Sequence, residues 1–450
     1  MSQNLTKEEL LAKAQKPAED AMKLHAFYRG KLQVMPKCQV RNLDDFSIYY
    51  SPGVAATCRA IEADESKMEE YTNRGNTIAV VSDCTRVLGL GDIGPKAGYP
   101  VMEGKCLIFK YLGGVDAVPI CLATKDPDEI VQTVKMLEPS FAGINLEDFS
   151  YPKCFGILER LRKEMSIPVW HDDVQGTGTI ELAGLINALK IVGKKIENCK
   201  LVFNGMGAAN TGISRMMIAY GANPDNIIVV DSKGILHKGR KDLEEKKKAY
   251  SYKWKLCQTT NAKQETGVLG DALKDADILI SCSKSGPGII FPDQIKRMAK
   301  DAIVFPSANP IPEIWPWEAK EAGARIVGTG RSDFQNQVNN SMGFPAIFRG
   351  VLDVRANTIT DEMCIAAAES LAQYAEERGI SEDNIIAKMD EPEAFVREAV
   401  AVGMKAQEQG VAAVKISAEE LRKKAETIIN SAQGQAKALV SDGFIAPAVT

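Results

Sequence analysis

The alternation of short apolar, β-rich runs with longer helical patterns constrains the fold of this chain more than any other feature. In the first part of the chain, β-rich runs lie at 77–83, 115–124, 142–148 and 167–173. Helical patterns separate them, at 126–137 and 154–165. Because a strand, a crossover helix and a following strand form parallel sheet, the pattern predicts an α/β fold.

A second block repeats this pattern after a long apolar helix expected from about Thr179 to Val192. Its predicted strands lie at 200–205, 226–232, 277–283, 302–308 and 324–330. Beyond residue 331 the patterns are mainly helical, and the Ala- and Glu-rich stretch 418–439 predicts a surface or partner-packing helix. We therefore expect three parts, at 1–174, 175–330 and 331–450.

Composition excludes several classes of protein. A formal net charge of −4 gives no reason to expect a nucleic-acid partner. No apolar run is long enough to span a bilayer, and the polar start lacks the apolar core of a secretory signal. The ten cysteines are scattered without a C-x-x-C pair, and there are only three histidines, so a zinc site is not expected. These features predict a cytoplasmic protein with reduced thiols and no membrane contact.

A glycine-rich loop opens the second block. The sequence GMGAANTG (205–212) follows an apolar strand and precedes a helix. Gly205 would allow the tight turn, and Gly207 would let the backbone approach a pyrophosphate bound by free amides there, including those of Ala208 and Ala209. The third position of the G-x-G-x-x-G pattern is Asn210, so Gly212 is the candidate for close helix packing. The alternative is a glycine-rich turn without a ligand.

Asp231 ends the next predicted strand, 24 residues after Gly207. An acid at that place binds the adenosine ribose hydroxyls in NAD sites and repels a 2′-phosphate. Lys233, two residues on, offsets part of that repulsion. The choice between NAD and NADP therefore stays open at this point.

Carboxylates gather at the ends of two strands of the first block. Glu147 and Asp148 close one strand, and Asp172 and Asp173 close the next. Ligands of parallel sheets bind at the carboxyl ends of strands, so we expect these acids to lie close together. An all-oxygen cluster suits Mg²⁺ or Mn²⁺, although single acids here also fit helix capping. For the adjacent His171 we expect a structural role.

Several segments together resemble the malic enzyme family. They are LHAFYRGKLQV (24–34), YSPGV (50–54), VVSDCTRVLGLGDIGP (80–95), EGKCLIFK (103–110), GINLEDF (143–149), HDDVQGTG (171–178), SANPIPE (307–313) and GRSDFQNQVNN (330–340). The resemblance implies metal-dependent oxidative decarboxylation of (S)-malate to pyruvate and CO₂, with reduction of NAD or NADP. It also implies a catalytic and dimerisation domain, a Rossmann-type domain and a helical C-terminal part that returns to the first domain.

The resemblance also assigns catalytic roles. Lys105 would be the base for the C2 hydroxyl, with Asp172 orienting it and Lys110 as the competing lysine. As a base, Lys105 needs a pKa well below its solution value. Tyr50 would protonate C3 of the enolate, with Tyr49 as the competing tyrosine. Because short members of the family share residues across a dimer, Tyr50 is a candidate for the partner subunit's site.

Ligand-binding roles follow from the same resemblance. Glu147, Asp148 and Asp173 would hold the metal. Arg86 would clamp a substrate carboxylate with two hydrogen bonds. Asn309 and Asn340 would bind the substrate or the nicotinamide end, with Asn339 as the neighbour of Asn340. The glycine pair in VLGLGDIG (87–94) would belong to an active-site loop and to no dinucleotide fingerprint.

Two other classes remain to be separated from this one. Another two-domain dehydrogenase, acting on amino acids or one-carbon folates, would not need the acidic cluster and would keep its activity in a strong chelator. A dinucleotide-sensing protein without catalysis would bind cofactor but would not turn over malate.

Overall fold

The computed structural model describes residues 7–448, and it contains two separate sheets built mainly of parallel strands. The strands of the first sheet are β1 Thr77–Ser82, β2 Asp116–Cys121, β3 Gly143–Leu146 and β4 Val169–His171. Those of the second are β5 Leu201–Asn204, β6 Ile227–Asp231, β7 Gly234–Ile235, β8 Ile278–Ser281, β9 Ala302–Pro306 and β10 Ala324–Val327. The α/β class and the strands expected from the sequence are confirmed.

Helices connect and cover both sheets. In chain order they are α1 Lys7–Tyr28, α2 Asp45–Tyr49, α3 Val54–Ala63, α4 Met68–Tyr71, α5 Gly94–Gly113, α6 Pro127–Leu137, α7 Lys153–Glu164, α8 Thr177–Val192, α9 Ala208–Tyr220, α10 Lys241–Glu244, α11 Ser251–Thr259, α12 Leu269–Ala272, α13 Pro292–Ile295, α14 Pro316–Glu321, α15 Phe344–Asp353, α16 Asp361–Glu377, α17 Pro392–Glu408 and α18 Ala418–Ser441. Short 3₁₀ turns lie at Glu65–Lys67, Arg74–Asn76, Glu138–Ser140, Ile196–Asn198, Pro224–Asn226 and Asn340–Met342, and one π-helical turn lies at Asp172–Gly176.

The first sheet has the strand order β2-β1-β3-β4, and every neighbouring pair is parallel. Its central strand β1 is buried along its whole length, as expected for a strand with helices on both faces. Because β3 and β4 are neighbours, the residues that follow them meet at the same edge of the sheet.

The second sheet has the order β10-β9-β8-β5-β6-β7. The order reverses beside β5, which pairs with β8 on one side and β6 on the other, so the crevice for a ligand opens at its carboxyl end. The two-residue β7 runs antiparallel to β6 and was not expected from the sequence. It folds the chain back over the end of β6.

Helix α8 lies at the centre of the molecule. Most of its residues are buried, and it packs against α9 of the second sheet and α16 of the C-terminal part. It ends at Gly193, whose φ of +68° suits glycine. The C-terminal helices α15 and α18 in turn pack against α5 of the first sheet.

The domain boundaries at 174/175 and 330/331 stay a prediction. Within residues 7–448, no helix combines the length and the apolar character that crossing a membrane requires. All ten cysteines are free thiols.

Candidate active site

Lys105 lies on α5, and its side chain is only 9% exposed. Its Nζ donates a hydrogen bond to Oδ2 of Asp172 at 2.5 Å and lies 3.0 Å from Oε1 of Glu147. The ring of Phe344 covers the ammonium, with 4.1 Å between Nζ and the ring centroid. The amine is therefore enclosed by two carboxylates and an aromatic face.

The same two carboxylates set the protonation state of Lys105. Burial lowers the pKa of this amine, but the charges of Asp172 and Glu147 outweigh burial and hold the pKa above its usual value. The side chains alone therefore keep the amine protonated, and the lowered pKa expected of a base requires the neighbouring cation as well as burial. The competing Lys110 lies five residues further along α5 and points elsewhere: it pairs with Asp116 at 2.8 Å and its side chain is 38% exposed.

The three predicted metal ligands lie together at the edge where β3 and β4 end. One carboxylate oxygen each from Glu147, Asp148 and Asp173 lies within 4.8 Å of the other two. The backbone N–H of Asp148 donates to Oδ2 of Asp173 at 2.9 Å. Among the residues that the structure describes, Oδ2 of Asp148 is buried without a hydrogen-bond partner.

This cluster is electrostatically unfavourable without a cation. Burial raises the pKa of all three carboxyl groups, and for Glu147 and Asp148 the neighbouring carboxylates raise it further. Positive charge among the oxygens would relieve that repulsion. His171 lies beside the cluster, with 3.6 Å between its Nδ1 and Oδ2 of Asp173. Burial lowers the pKa of His171 to about 4, and a neutral ring fits the structural role predicted for it.

Asp172 connects residues of the first block with the C-terminal part of the chain at this site. It is fully buried and accepts hydrogen bonds from Lys105, from Nε1 of Trp170 at 3.3 Å and from the side-chain amide of Asn340. It begins the π-helical turn, where a Cβ on Gly176 would lie 2.0 Å from Oδ1 of Asp172. A glycine is therefore required for the turn to wrap around this carboxylate.

Arg86 lies in the loop that follows β1. Its backbone N–H donates to the carbonyl oxygen of Asp148 at 2.9 Å, and its positive charge offsets part of the rise that burial causes in the pKa of Asp173. The guanidinium is exposed and donates to the carbonyl oxygen of Leu88 at 3.1 Å. The predicted carboxylate clamp therefore lies at the acidic cluster.

The loops after β1 and β9 touch each other. A Cβ on Gly89 would lie 2.8 Å from the carbonyl oxygen of Asn309, so the two loops approach as closely as a glycine permits. The side chain of Asn309 lies against Gly330. Asn340 reaches Asp172, whereas Asn339 caps its own 3₁₀ turn by accepting from the backbone N–H of Ser341.

Tyr50 does not join this group within the chain. It follows α2 and is 74% exposed, and the neighbouring Tyr49 is 47% exposed. Of the hydrogen bonds and ion pairs that Lys105 makes with described residues, none involves Tyr50.

The glycine-rich loop lies between β5 and α9, at the reversal in strand order. Gly205 has φ +85°, and a Cβ there would lie 2.7 Å from the Cα of Ser283. A Cβ on Gly207 would meet nothing within 4 Å, so the space before the helix is open. Ala208 and Ala209 form the first turn of α9, where free backbone N–H groups favour an anion.

Asn210, which occupies the third glycine position of the G-x-G-x-x-G pattern, stabilises the glycine-rich loop with its side chain. Its Nδ2 donates to the carbonyl oxygens of Asn204 and Gly205 at 2.8 and 2.7 Å. Gly212 provides the close packing: a Cβ there would lie 2.0 Å from the carbonyl oxygen of Val174. Its packing partner is the π-helical turn Asp172–Gly176 of the first block.

Asp231 ends β6, as predicted, but its carboxylate is already engaged. Arg240 donates to both oxygens, Nη1 to Oδ1 at 3.0 Å and Nη2 to Oδ2 at 3.1 Å. Nζ of Lys253 lies 3.3 Å from Oδ2. The sequence analysis did not predict Arg240 and Lys253 as partners of Asp231. It also did not predict Glu147 as a partner of Lys105. Each pair depends on how the chain folds back on itself, and no local sequence pattern indicates that.

Comparison with known proteins gives a consistent result. The protein-family profile described as "Malic enzyme, N-terminal domain" matches residues 29–162, and "Malic enzyme, NAD binding domain" matches residues 174–407. The solved crystal structure of Entamoeba histolytica malic enzyme superposes with a TM-score of 0.96 at 47% identity, covering 100% of this chain and 94% of that one.

Relatives of known name agree with this result. The bifunctional malic/malolactic enzyme of Bacillus subtilis (strain 168) is 48% identical, over 90% of this chain and 97% of its own length. The NAD-dependent malic enzyme of Geobacillus stearothermophilus is 48% identical, over 85% of this chain and 78% of that protein. The NADP-dependent malic enzyme of Haemophilus influenzae is 43% identical, over 87% of this chain and 53% of that longer protein.

Proposed function

The chain belongs to the malic enzyme family, and on that premise we propose that it oxidises and decarboxylates (S)-malate to pyruvate and CO₂ with the help of Mg²⁺ or Mn²⁺. It is an oxidoreductase that acts on malate with NAD or NADP. One observation carries the metal-dependent mechanism: three carboxylates, one with a buried and unpartnered oxygen, lie together beside a buried lysine.

The residues present fit a divalent cation. Glu147, Asp148 and Asp173 offer only oxygen ligands, the donor type that Mg²⁺ and Mn²⁺ prefer. The unpartnered oxygen of Asp148 would gain the partner that a buried carboxylate oxygen needs. The residues also fit a dinucleotide, because open space at Gly207 lies in front of the first turn of α9.

When bound, the nicotinamide would accept the hydride from C2 and the cation would stabilise negative charge on the substrate's C2 oxygen. Lys105 would take the proton of the C2 hydroxyl. Because Asp172 and Glu147 hold its pKa high, Lys105 would first have to release its own proton to solvent, and a cation held by Glu147 would favour that release. Asp172 would keep Nζ oriented through its hydrogen bond.

Substrate binding would fall to three side chains. Arg86 is exposed beside the acidic cluster and would form two hydrogen bonds with a malate carboxylate. Asn309 and Asn340 would bind the substrate or the nicotinamide end, since one lies on the loop after β9 and the other contacts Asp172. Breaking the C3–C4 bond releases CO₂ and leaves an enolate, which must gain a proton at C3.

We assign that proton to Tyr50, acting in the site of the partner subunit of a homodimer. Tyr50 lies within a segment of the chain, residues 22–54, that exposes many large apolar side chains. They are Met22, Phe27, Tyr28, Leu32, Val34, Met35, Val40, Leu43, Phe46, Ile48, Tyr49, Tyr50 and Val54. So much exposed apolar surface in one segment is typical of an interface, and a second copy of the chain is the occupant that also supplies the missing acid.

Two further assignments complete the proposal. Residues 1–174 form the catalytic and dimerisation domain, 175–330 the Rossmann-type domain and 331–450 the helical part. The change from one family profile to the other between 162 and 174 supports the first boundary. A cytoplasmic location is supported by ten cysteines that form no disulfide in residues 7–448.

The test of the function is an assay of purified protein with L-malate and each cofactor, with and without Mn²⁺, in which reduced cofactor and pyruvate are both measured. We expect equal amounts of the two products and no turnover when a chelator removes the metal. Turnover of malate that persists in the chelator would contradict the metal-dependent mechanism. Absence of pyruvate with both cofactors and Mn²⁺ would contradict the function itself.

The shared site is tested by mixing two inactive variants, Tyr50→Phe and Lys105→Ala. If Tyr50 serves the partner's site, mixed dimers contain one complete site and recover activity. As the matched control, Lys105→Ala mixed with Asp173→Ala should stay inactive, because both residues belong to one chain's site. No recovery in the first mixture would contradict sharing.

A further inference from the structure

We propose that the ribose end of the dinucleotide site is built to receive a 2′-phosphate, with Lys253 and Lys233 as its cations, so that the protein prefers NADP over NAD. The inference rests on the proposed function in one respect, that the crevice at Gly207 takes a nicotinamide dinucleotide. The names of the relatives are divided between NAD and NADP, so they leave this choice open.

The carboxylate of Asp231 has no capacity left for ribose hydroxyls. Its Oδ1 accepts from the backbone N–H of Lys233 at 2.9 Å and from Arg240 at 3.0 Å. Its Oδ2 accepts from Arg240 at 3.1 Å and from Lys253 at 3.3 Å. A carboxylate has about four lone-pair positions, and all are used. The acid that would select NAD is therefore occupied within the protein.

The side chain of Arg240 is held in place by its hydrogen bonds. Its Nε and Nη2 donate to the carboxylate of Asp242 at 2.8 and 3.0 Å, while its remaining N–H groups point to Asp231 and to the carbonyl oxygen of Gly234. Its side chain is 9% exposed. With all its donors engaged, Arg240 holds Asp231 in place and is not itself available to a phosphate.

Two lysines beside Asp231 and Asp242, Lys253 and Lys233, have N–H groups left to donate to a phosphate. Lys253 has Oδ2 of Asp231 as its one hydrogen-bond acceptor among the described residues, so two of its three N–H groups are free. The rings of Tyr151 and Tyr250 flank its Nζ, at 5.9 and 5.7 Å to their centroids. Lys233 pairs with Asp242 at 3.1 Å, and its side chain is 66% exposed.

The local charge favours an anion. Three cations (Arg240, Lys253 and Lys233) face two carboxylates, those of Asp231 and Asp242, which leaves one net positive charge. Burial would raise the pKa of Asp231, but its partners hold the pKa below the usual value, so the carboxylate stays ionised and stays paired. A 2′-phosphate would thus meet two ammonium groups, each with one carboxylate partner and with N–H groups left to donate, beside a neutralised acid. The hydroxyls of NAD would find no free acceptor on Asp231.

The test is direct binding of NADP⁺ and NAD⁺, measured by isothermal titration of the purified protein. We expect the wild type to bind NADP⁺ at least about tenfold more tightly than NAD⁺. Lys253→Met should weaken NADP⁺ binding by about tenfold or more and leave NAD⁺ binding within about twofold. Lys255→Met removes the same charge from an exposed position on the same helix and should change neither affinity.

Asp231→Asn separates the two interpretations of the acid. If Asp231 bound the ribose of NAD, this variant would lose NAD⁺ affinity by about tenfold or more, whereas we expect a change below about threefold. Tighter binding of NAD⁺ than NADP⁺ by the wild type, or an equal effect of Lys253→Met on both cofactors, would overturn the inference. These affinities are independent of turnover, so a failure of the malate assay would count against the proposed function alone.

Discussion

At the scale of single residues, Lys105 shows how burial and charge oppose each other in one side chain. Burial would release its proton, and two carboxylates retain it. The amine therefore becomes a base only when something competes for those carboxylates. In the proposed mechanism, that competitor is a cation held by Glu147, Asp148 and Asp173.

Lys105→Met should lower kcat by about 10²- to 10⁴-fold, the range for loss of a general base. The matched variant Lys110→Met removes a half-exposed ion pair with Asp116 and should change kcat by less than about twofold. Steady-state pyruvate formation, with circular dichroism as a check of folding, measures both. Equal losses in the two variants would contradict the role of Lys105.

The buried carboxyl group of Glu398 on α17 should make the free energy of unfolding depend on pH. Both of its carboxyl oxygens are buried and have no hydrogen-bond partner in the described chain, and burial raises its pKa well above the usual value. A group with a raised folded pKa contributes full stability below its unfolded pKa near 4.3 and loses it as pH rises toward the folded pKa, by about 1.4 kcal/mol per pH unit.

Glu398→Gln keeps the shape and cannot ionise, so it should be more stable than the wild type at about pH 8 and should differ less at about pH 5. Thermal melting of both proteins across this pH range measures the difference. A variant that melts below the wild type at the higher pH would show that the carboxylate is paired after all.

At the scale of elements, the π-helical turn Asp172–Gly176 is the junction of the two sheets. It follows β4 of the first sheet and packs against α9 of the second. Gly212 permits that contact, since a Cβ there would lie 2.0 Å from a backbone oxygen of Val174, which cannot move aside cheaply.

Gly212→Ala should therefore destabilise the protein by about 1–3 kcal/mol and lower kcat, because it pushes α9 away from the turn that carries Asp172 and Asp173. Gly434→Ala, in α18 with nothing within 4 Å of the added Cβ, should instead stabilise by about 0.5–1 kcal/mol. Chemical denaturation of both variants measures the two signs. A neutral Gly212→Ala would contradict the close contact.

Elements with a strong local signal could be predicted from the sequence, and elements without one could not. Runs rich in Val and Ile marked β1, β6 and β9, and the order of elements placed Glu147 and Asp173 at one edge. The two-residue β7 is too short to leave a pattern. The bond from Arg240 to Asp231 depends on the reversal that β7 makes, so the free acid expected from the sequence is an occupied one.

At the scale of the whole molecule, the exposed apolar segment at 22–54 predicts the oligomeric state. Multi-angle light scattering should give twice the mass of one chain. Leu43→Asp, at a side chain that is 82% exposed, should shift the protein toward monomer and abolish turnover, because the proposed shared site would lose Tyr50. Met136→Asp, at a similarly exposed side chain on α6, should leave the dimer intact. A fully active monomer would contradict both the interface and the shared tyrosine.

The account depends most on the proposed binding of a cation between Glu147, Asp148 and Asp173, and binding of Mn²⁺ to the purified protein tests it most directly. Electron paramagnetic resonance should detect one tightly bound Mn²⁺ per chain in the wild type. Asp148→Asn should lose that ion and malate turnover together, whereas Asp128→Asn, at a side chain that is 81% exposed, should keep both. Mn²⁺ bound equally well by Asp148→Asn and the wild type would contradict the account.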